Sequence, residues 1–293
     1  MNQKFAEYIQ PARSETRWWM VILTLVLWII FYMVLSSSFV FAMDLFFDLG
    51  ELRQGVFITP AAVYVLLLTF VIWILVFLTV VKLFHKRGIN SLLGNSKRKF
   101  LYNFFVAIGI SAVFLILSYN LAPADDQIIE NLNFHKWLSV LPLGVCLMFF
   151  QVSAEELLFR GYLQQQLAVW IKNRWFYMVV PSGIFGFMHY DGGMGVDVGL
   201  IVVATTSLLG LFLADLTYRT GNLGAAIGVH FANNFSAMFW ISYQEQISGL
   251  ARYTAPAFFN EPAMFVEAAK SMLITTSILF LIYFSIMEWR ARR

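Results

Sequence analysis

The fourth long apolar stretch of the sequence ends in two adjacent carboxylates, Glu155 and Glu156, followed by Arg160. On a helix, Glu156 and Arg160 lie one turn apart on one face, so they can neutralise each other. Glu155 is rotated by about 100° from Glu156, and its own neighbour one turn on is Phe159. Glu155 therefore needs a partner on another helix or a bound water. The alternative is that both carboxylates only mark the end of a helix.

Two later apolar stretches carry the other polar groups. His189 lies at the end of one, and His230 and Asn234 lie one turn apart on the same face of another. Ionisable groups are costly inside a membrane span, so each is a hypothesis for a functional site. The alternatives are a structural histidine at a helix end and interhelical hydrogen bonds. Asp215 and Arg219 are interpreted as a structural ion pair.

Taken together, these residues place two carboxylates, two imidazoles and an amide on three apolar stretches. A carboxylate close to neutral imidazoles is suited to general-base activation of water. An imidazole and an amide one turn apart are suited to stabilising an oxyanion. The pattern therefore predicts a polar reaction centre that hydrolyses a peptide bond.

A metal-dependent reading of the same residues stays open. Glu155, His189 and His230 could be three ligands of a tetrahedral zinc whose fourth ligand is water. The sequence has no His-Glu-x-x-His helix, and Asn234 is not a usual zinc ligand. We therefore expect a glutamate mechanism without a cofactor, with zinc as the alternative.

The elements that must position these groups follow from composition. Of the 293 residues, 60% are hydrophobic and 13% are charged, and the apolar residues form runs long enough to cross a bilayer. The single cysteine, Cys146, excludes an internal disulfide, and the small net charge of +3 does not favour nucleic-acid binding. We predict an all-α polytopic transmembrane bundle of about eight spans. These are approximately 18–42, 60–84, 99–122, 137–160, 175–190, 196–218, 223–242 and 268–288.

Lysine and arginine predict the orientation. They cluster at both chain ends and in the second, fourth and sixth connections, so both termini are predicted to be cytoplasmic. Residues 161–174 are predicted to form an amphipathic helix that lies at the interface or caps the bundle. This segment must shift the following span, so that His189 reaches the level of Glu155 and His230.

These motifs resemble the CAAX protease and bacteriocin-processing family of intramembrane endopeptidases, which includes the type II CAAX prenyl endopeptidases. The resemblance covers about 140–242, and its motifs occur in the family's order on separate spans. The motifs are Glu155-Glu156-x-x-x-Arg160, Phe185-x-x-x-His189 and His230-x-x-x-Asn234.

The resemblance implies a role for each residue. Glu155 would be the general base that activates water, assisted by His189. His230 and Asn234 would stabilise the tetrahedral oxyanion, and the Glu156–Arg160 pair would hold the helix end. The substrate would be a peptide or membrane protein, prenylated or not.

The resemblance also suggests a division of the chain. Residues 1–135 would be transmembrane helices without a motif, 136–242 the catalytic core, and 243–293 a loop and the last transmembrane helix. The expected location is a cell membrane, in a multi-pass arrangement typical of a prokaryotic plasma membrane, and the lipid bilayer is the other expected partner.

Two other functions are compatible with buried polar groups. A non-catalytic binding or immunity protein could keep the fold and use its cavity to hold a partner. A transporter could use the same groups as a relay, but the internal repeats common in transporters are absent from the sequence. The sequence does not determine the oligomeric state.

Overall fold

The computed structural model describes residues 2–121, 127–244, 247–256 and 262–291. In this part of the chain almost all regular structure is helical, which confirms the predicted all-α class in its coarse form. The α-helices are α1 (Gln3–Tyr8), α2 (Trp18–Phe47), α3 (Gly50–Arg53), α4 (Pro60–His85), α5 (Ile89–Leu93), α6 (Lys97–Leu121), α7 (Phe134–Leu158), α8 (Gln164–Trp170), α9 (Arg174–Phe187), α10 (Val196–Thr220), α11 (Gly224–Phe235) and α12 (Pro262–Ala291).

Five helical runs among the described residues are long and apolar enough to cross a membrane. They are Trp18–Phe47, Pro60–His85, Lys97–Tyr119, Phe134–Trp170 and Val196–Thr220. The chain is therefore a multi-pass membrane protein. Helices α9 and α11 have 14 and 12 residues, fewer than the roughly 20 that a spanning helix needs. The count of eight spans and the cytoplasmic termini stay predictions.

The fourth span continues past its predicted end. A π-helical turn, Phe159–Leu163, joins α7 to α8, so that one helical run extends from Phe134 to Trp170. The chain then reverses, and α9 packs back along α8. Near the end of α9, the ring of Phe185 lies 5.1 Å from that of Phe159, measured between centroids. This extension of the fourth span to Trp170 supplies the shift along the bundle that His189 requires to reach the level of Glu155.

The segment predicted as an amphipathic helix over 161–174 is helical only to Trp170 and is buried. Gln164, Gln165 and Gln166 are all fully buried. The amide nitrogen of Gln164 donates to the carbonyl of Ala214 at 3.0 Å, and that of Gln165 to Ser91 at 3.0 Å. This burial favours the second predicted alternative, in which the segment caps the bundle. Its polar side chains satisfy backbone carbonyls of neighbouring segments.

Helices α6 and α11 pack closely because α11 carries glycine where they meet. A Cβ built on Gly224 would lie 2.2 Å from the carbonyl oxygen of Phe100, and one on Gly228 would lie 2.6 Å from that of Phe104. These distances leave no room for a side chain, so the close contact of the two helices requires glycine at both positions.

A small sheet lies at the N-terminal end of α7. It consists of β1 (Ile129–Glu130), β2 (Ile241–Tyr243) and β3 (Tyr253–Ala255), in the order β1-β3-β2. Strand β1 pairs antiparallel with β3, and β2 pairs parallel with it. The indole nitrogen of Trp137 donates to the carbonyl of Phe239 at 2.8 Å, so α7 is tied to the segment that enters the sheet.

Gly228→Ala tests the α6–α11 contact. We expect a loss of about 1–3 kcal/mol in the free energy of unfolding, because the added methyl group overpacks the interface. Thermal unfolding in detergent measures the effect. Gly109→Ala, on α6 with open space around its Cβ, is the matched control and should not lower stability. Equal losses in both variants would contradict the packing argument.

Candidate active site

The carboxylate of Glu156 is fully buried and contacts two side chains, Arg160 on the next helical turn and His230 on α11. Its Oε1 accepts from Nη1 of Arg160 at 2.8 Å and lies 2.8 Å from Nδ1 of His230. Arg160 is also fully buried, and its Nη2 donates to the carbonyl of Gly210 at 3.0 Å. Its guanidinium lies 4.6 Å from the ring centroid of Phe185. The predicted Glu156–Arg160 pair is therefore present, and it connects α7 to α9, α10 and α11.

Glu155 has a different environment from its neighbour. Its Oε1 accepts from Nε2 of Gln151, one turn earlier on α7, at 2.8 Å. Its Oε2 lies 3.5 Å from Nε2 of His230 and has no hydrogen-bond partner. Glu155 is 9% exposed, whereas Glu156 is 0% exposed. Oε1 of Glu155 is thus held by Gln151, and Oε2 is free to act on a bound molecule.

Gln151 also holds Asn234. The amide nitrogen of Asn234 donates to Oε1 of Gln151 at 2.9 Å, and its Oδ1 accepts from Asn233 at 3.1 Å. Gln151 is buried and connects Glu155 to Asn234 across two helices. The sequence analysis missed this residue. The feature that could have identified Gln151 is a polar side chain in an apolar stretch, one helical turn before Glu155.

His189 approaches the same region from the end of α9, on the other side of Phe185. The ring centroid of Phe185 lies 4.9 Å from that of His189 and 5.7 Å from that of His230. Nδ1 of His189 is 2.8 Å from the carbonyl oxygen of Phe185, so this nitrogen carries the proton and donates. His189 is exposed, and no described hydrogen bond joins it to Glu155 or His230. The structure thus brings His189 near the site without direct contact.

Comparison with known proteins identifies this part of the chain. Residues 136–236 match the family described as Type II CAAX prenyl endopeptidase Rce1-like. Residues 136–236 are Rce1-like. The matched range contains all six predicted site residues, so the resemblance seen in the motifs is confirmed.

One curated relative is similar in sequence to about half of the chain. YyaK of Bacillus subtilis strain 168, named an uncharacterized protein, is 26% identical over 151 residues. The aligned part makes up 49% of this chain and 50% of YyaK, so the chain spans about half the length of the relative that it matches.

The Rce1-like region does not present the predicted zinc ligands as a set. Among the described residues, no three His, Cys, Asp or Glu side chains form a group that could hold a metal ion. The ring of Phe185 contacts both imidazoles, with centroid distances of 4.9 Å to His189 and 5.7 Å to His230. Direct contacts instead join Glu155 to His230 and Gln151.

The two nitrogens of His230 face the two glutamates in the Rce1-like site. Nδ1 of His230 lies 2.8 Å from Oε1 of Glu156, which leaves Nε2 of His230 facing Oε2 of Glu155 at 3.5 Å. The imidazole of His230 therefore connects the two carboxylates.

Substitution of the two glutamates should separate their roles in stability. Glu156→Gln leaves Arg160 buried without a charged partner, so we expect a loss of about 3–5 kcal/mol in the free energy of unfolding. Glu155→Gln, at the edge of the site, should cost about 1 kcal/mol or less. Thermal or denaturant unfolding of both variants in detergent measures the difference. A larger loss in Glu155→Gln would contradict the assignment of Glu156 as the structural carboxylate.

Proposed function

We propose that the chain is an intramembrane endopeptidase in which Glu155 activates the attacking water. The observation that carries this proposal is the free Oε2 of Glu155 next to Nε2 of His230, in a largely buried polar set. The family description of residues 136–236 names an endopeptidase, which supports peptide-bond hydrolysis as the reaction. No step requires a metal ion.

Glu155 acts first as a base and then as an acid. Its Oε2 takes a proton from water, whose oxygen attacks the carbonyl carbon of the scissile peptide bond. Gln151 holds Oε1, so that Oε2 keeps its direction. When the carbon–nitrogen bond breaks, the same carboxyl group returns the proton to the leaving amine.

His230 and Asn234 stabilise the negative oxygen that forms in this step. The buried carboxylate of Glu156 orients the imidazole of His230 through Nδ1, so that Nε2 is directed to donate to the oxyanion. The amide nitrogen of Asn234 uses one hydrogen for Gln151 and has a second one for the oxyanion. Nε2 of His189 remains available to hold the attacking water.

The substrate is a membrane-associated peptide or protein with an apolar group. A cavity of about 590 Å³ lies between α6 and α11, lined mainly by apolar side chains that include Phe231 and Phe235. Both residues belong to the helix that carries His230 and Asn234. The cavity can therefore hold a prenyl group or an apolar side chain beside the reacting bond. The bilayer of a prokaryotic plasma membrane is the proposed location.

Cleavage assays of purified variants test this function. Wild-type protein in detergent is incubated with quenched peptides, with and without a prenyl group. Glu155→Gln should lower the cleavage rate by about 10³-fold or more, since it removes the base but keeps the size of the side chain. His230→Ala and Asn234→Ala should each lower it by about 10²–10³-fold.

The controls separate chemistry from folding and from a binding role. Each variant must unfold at a temperature close to that of the wild type. A chelator should leave the wild-type rate unchanged, and loss of activity that zinc restores would favour the zinc alternative. Equal cleavage by Glu155→Gln and the wild type would refute the proposed base. Cleavage of no peptide, with full biological activity of Glu155→Gln, would favour a binding or immunity protein.

Gln151→Met should impair positioning of the base. We expect kcat to fall about tenfold or more with little change in KM, because the amide contacts catalytic groups and not the apolar part of the substrate.

Ser153→Ala is the matched control for Gln151→Met. Ser153 is buried on the same helix, and its hydroxyl has no hydrogen-bond partner among the described residues. Its removal should change neither kcat nor KM. An unchanged kcat in Gln151→Met, with only lower stability, would show that Gln151 has a purely structural role.

A further inference from the structure

We propose that a second cavity, lined by none of the predicted site residues, binds the phosphate group of an anionic phospholipid. This basic cavity has a volume of about 590 Å³ and lies where α6 begins and α10 ends, with α1 as a further wall. Its charged lining residues are Lys4, Lys99, Arg174, Arg219 and Glu7.

The charged residues that line the cavity carry more positive than negative charge. Arg174 and Arg219 both pair with the buried carboxylate of Asp215. Lys4 and Lys99 are exposed, and no ion pair of either is present among the described residues. Two ammonium groups therefore face one cavity with only Glu7 as a lining carboxylate. An anion is the ligand that such a lining favours.

The remaining wall offers neutral hydrogen-bonding groups suited to a phosphate. Hydroxyl and amide side chains line it, namely those of Asn2, Tyr8, Asn95, Ser96, Tyr102, Asn103, Tyr218, Thr220 and Asn222. The cavity also lies at the start of α6, where Ser96 caps the helix, and the positive end of the helix dipole adds to the attraction for an anion.

The position of the cavity favours a lipid as the source of the phosphate. It lies at the ends of spanning helices, which is the level of lipid headgroups, and basic pockets between such helices bind anionic headgroups.

Occupancy of the basic cavity should stabilise the protein through α1. Tyr8 lines the cavity, and its hydroxyl donates to the carbonyl of Leu92 at 2.5 Å, with the carbonyl of Arg160 at 3.3 Å. The backbone of Lys4 also packs directly on Gly221, which has a φ of +66°. A ligand held between Lys4 and Lys99 therefore fastens α1 to α6.

Native mass spectrometry of delipidated protein in detergent tests the proposal, with phosphatidylglycerol as the probe and phosphatidylcholine as the comparison. We expect preferential binding of phosphatidylglycerol and a higher unfolding temperature in its presence. Lys4→Gln and Lys99→Gln should each weaken this binding about fivefold, as expected for the loss of one lysine at a membrane surface. Lys97→Gln is the matched control. Lys97 lies in the same turn of α6, is exposed, and does not line the cavity.

Inorganic phosphate distinguishes the two sources of the ligand. If millimolar phosphate alone raises the unfolding temperature, with the same dependence on Lys4 and Lys99, the site takes soluble phosphate and the lipid assignment is overturned. If Lys97→Gln weakens lipid binding as much as Lys99→Gln, or both lipids bind equally, the cavity is not the site. Because the readouts are binding and stability, these outcomes are independent of any protease activity.

Discussion

The rest of the site depends on the buried carboxylate of Glu156. Without water to solvate it, this charge requires Arg160 on its own helix and His230 on another, and Arg160 in turn bonds a carbonyl of α10. Removal of one partner from such a set is expected to cost several kcal/mol. The charge therefore fixes the relative positions of α7, α10 and α11. The same contact orients the imidazole that faces Glu155.

Adjacent positions in the chain give the two glutamates opposite environments. A helix turns about 100° per residue, so Glu156 points into the interior while Glu155 points to its edge. Glu155 then relies on an amide, Gln151, and on the far side of His230. A carboxylate with one oxygen held by a hydrogen bond and one oxygen without a partner is suited to proton transfer, because it is oriented and still has an oxygen that can accept a proton.

Small residues and a long helical run bring these groups to the same depth. Gly228 lets α11 approach α6, and a Cβ built on Gly210 would lie 2.9 Å from a guanidinium nitrogen of Arg160. The continuation of α7 through the π-turn to Trp170 gives α9 the distance it needs to return to the site. Where α9 begins, Arg174 pairs with Asp215 and borders the basic cavity.

The sequence by itself determined the features that depend on a single helix. Long apolar runs require helices in a bilayer, and residues four apart share a face, so the pairs Glu156–Arg160 and Asp215–Arg219 were predicted and are present. Only the tertiary structure decided which atoms meet between helices. Contact of Nδ1 of His230 with Glu156, the role of Gln151, and the separation of His189 by Phe185 depend on helix rotation and depth. Packing sets both, and the periodicity of one segment carries no information about its neighbour's rotation.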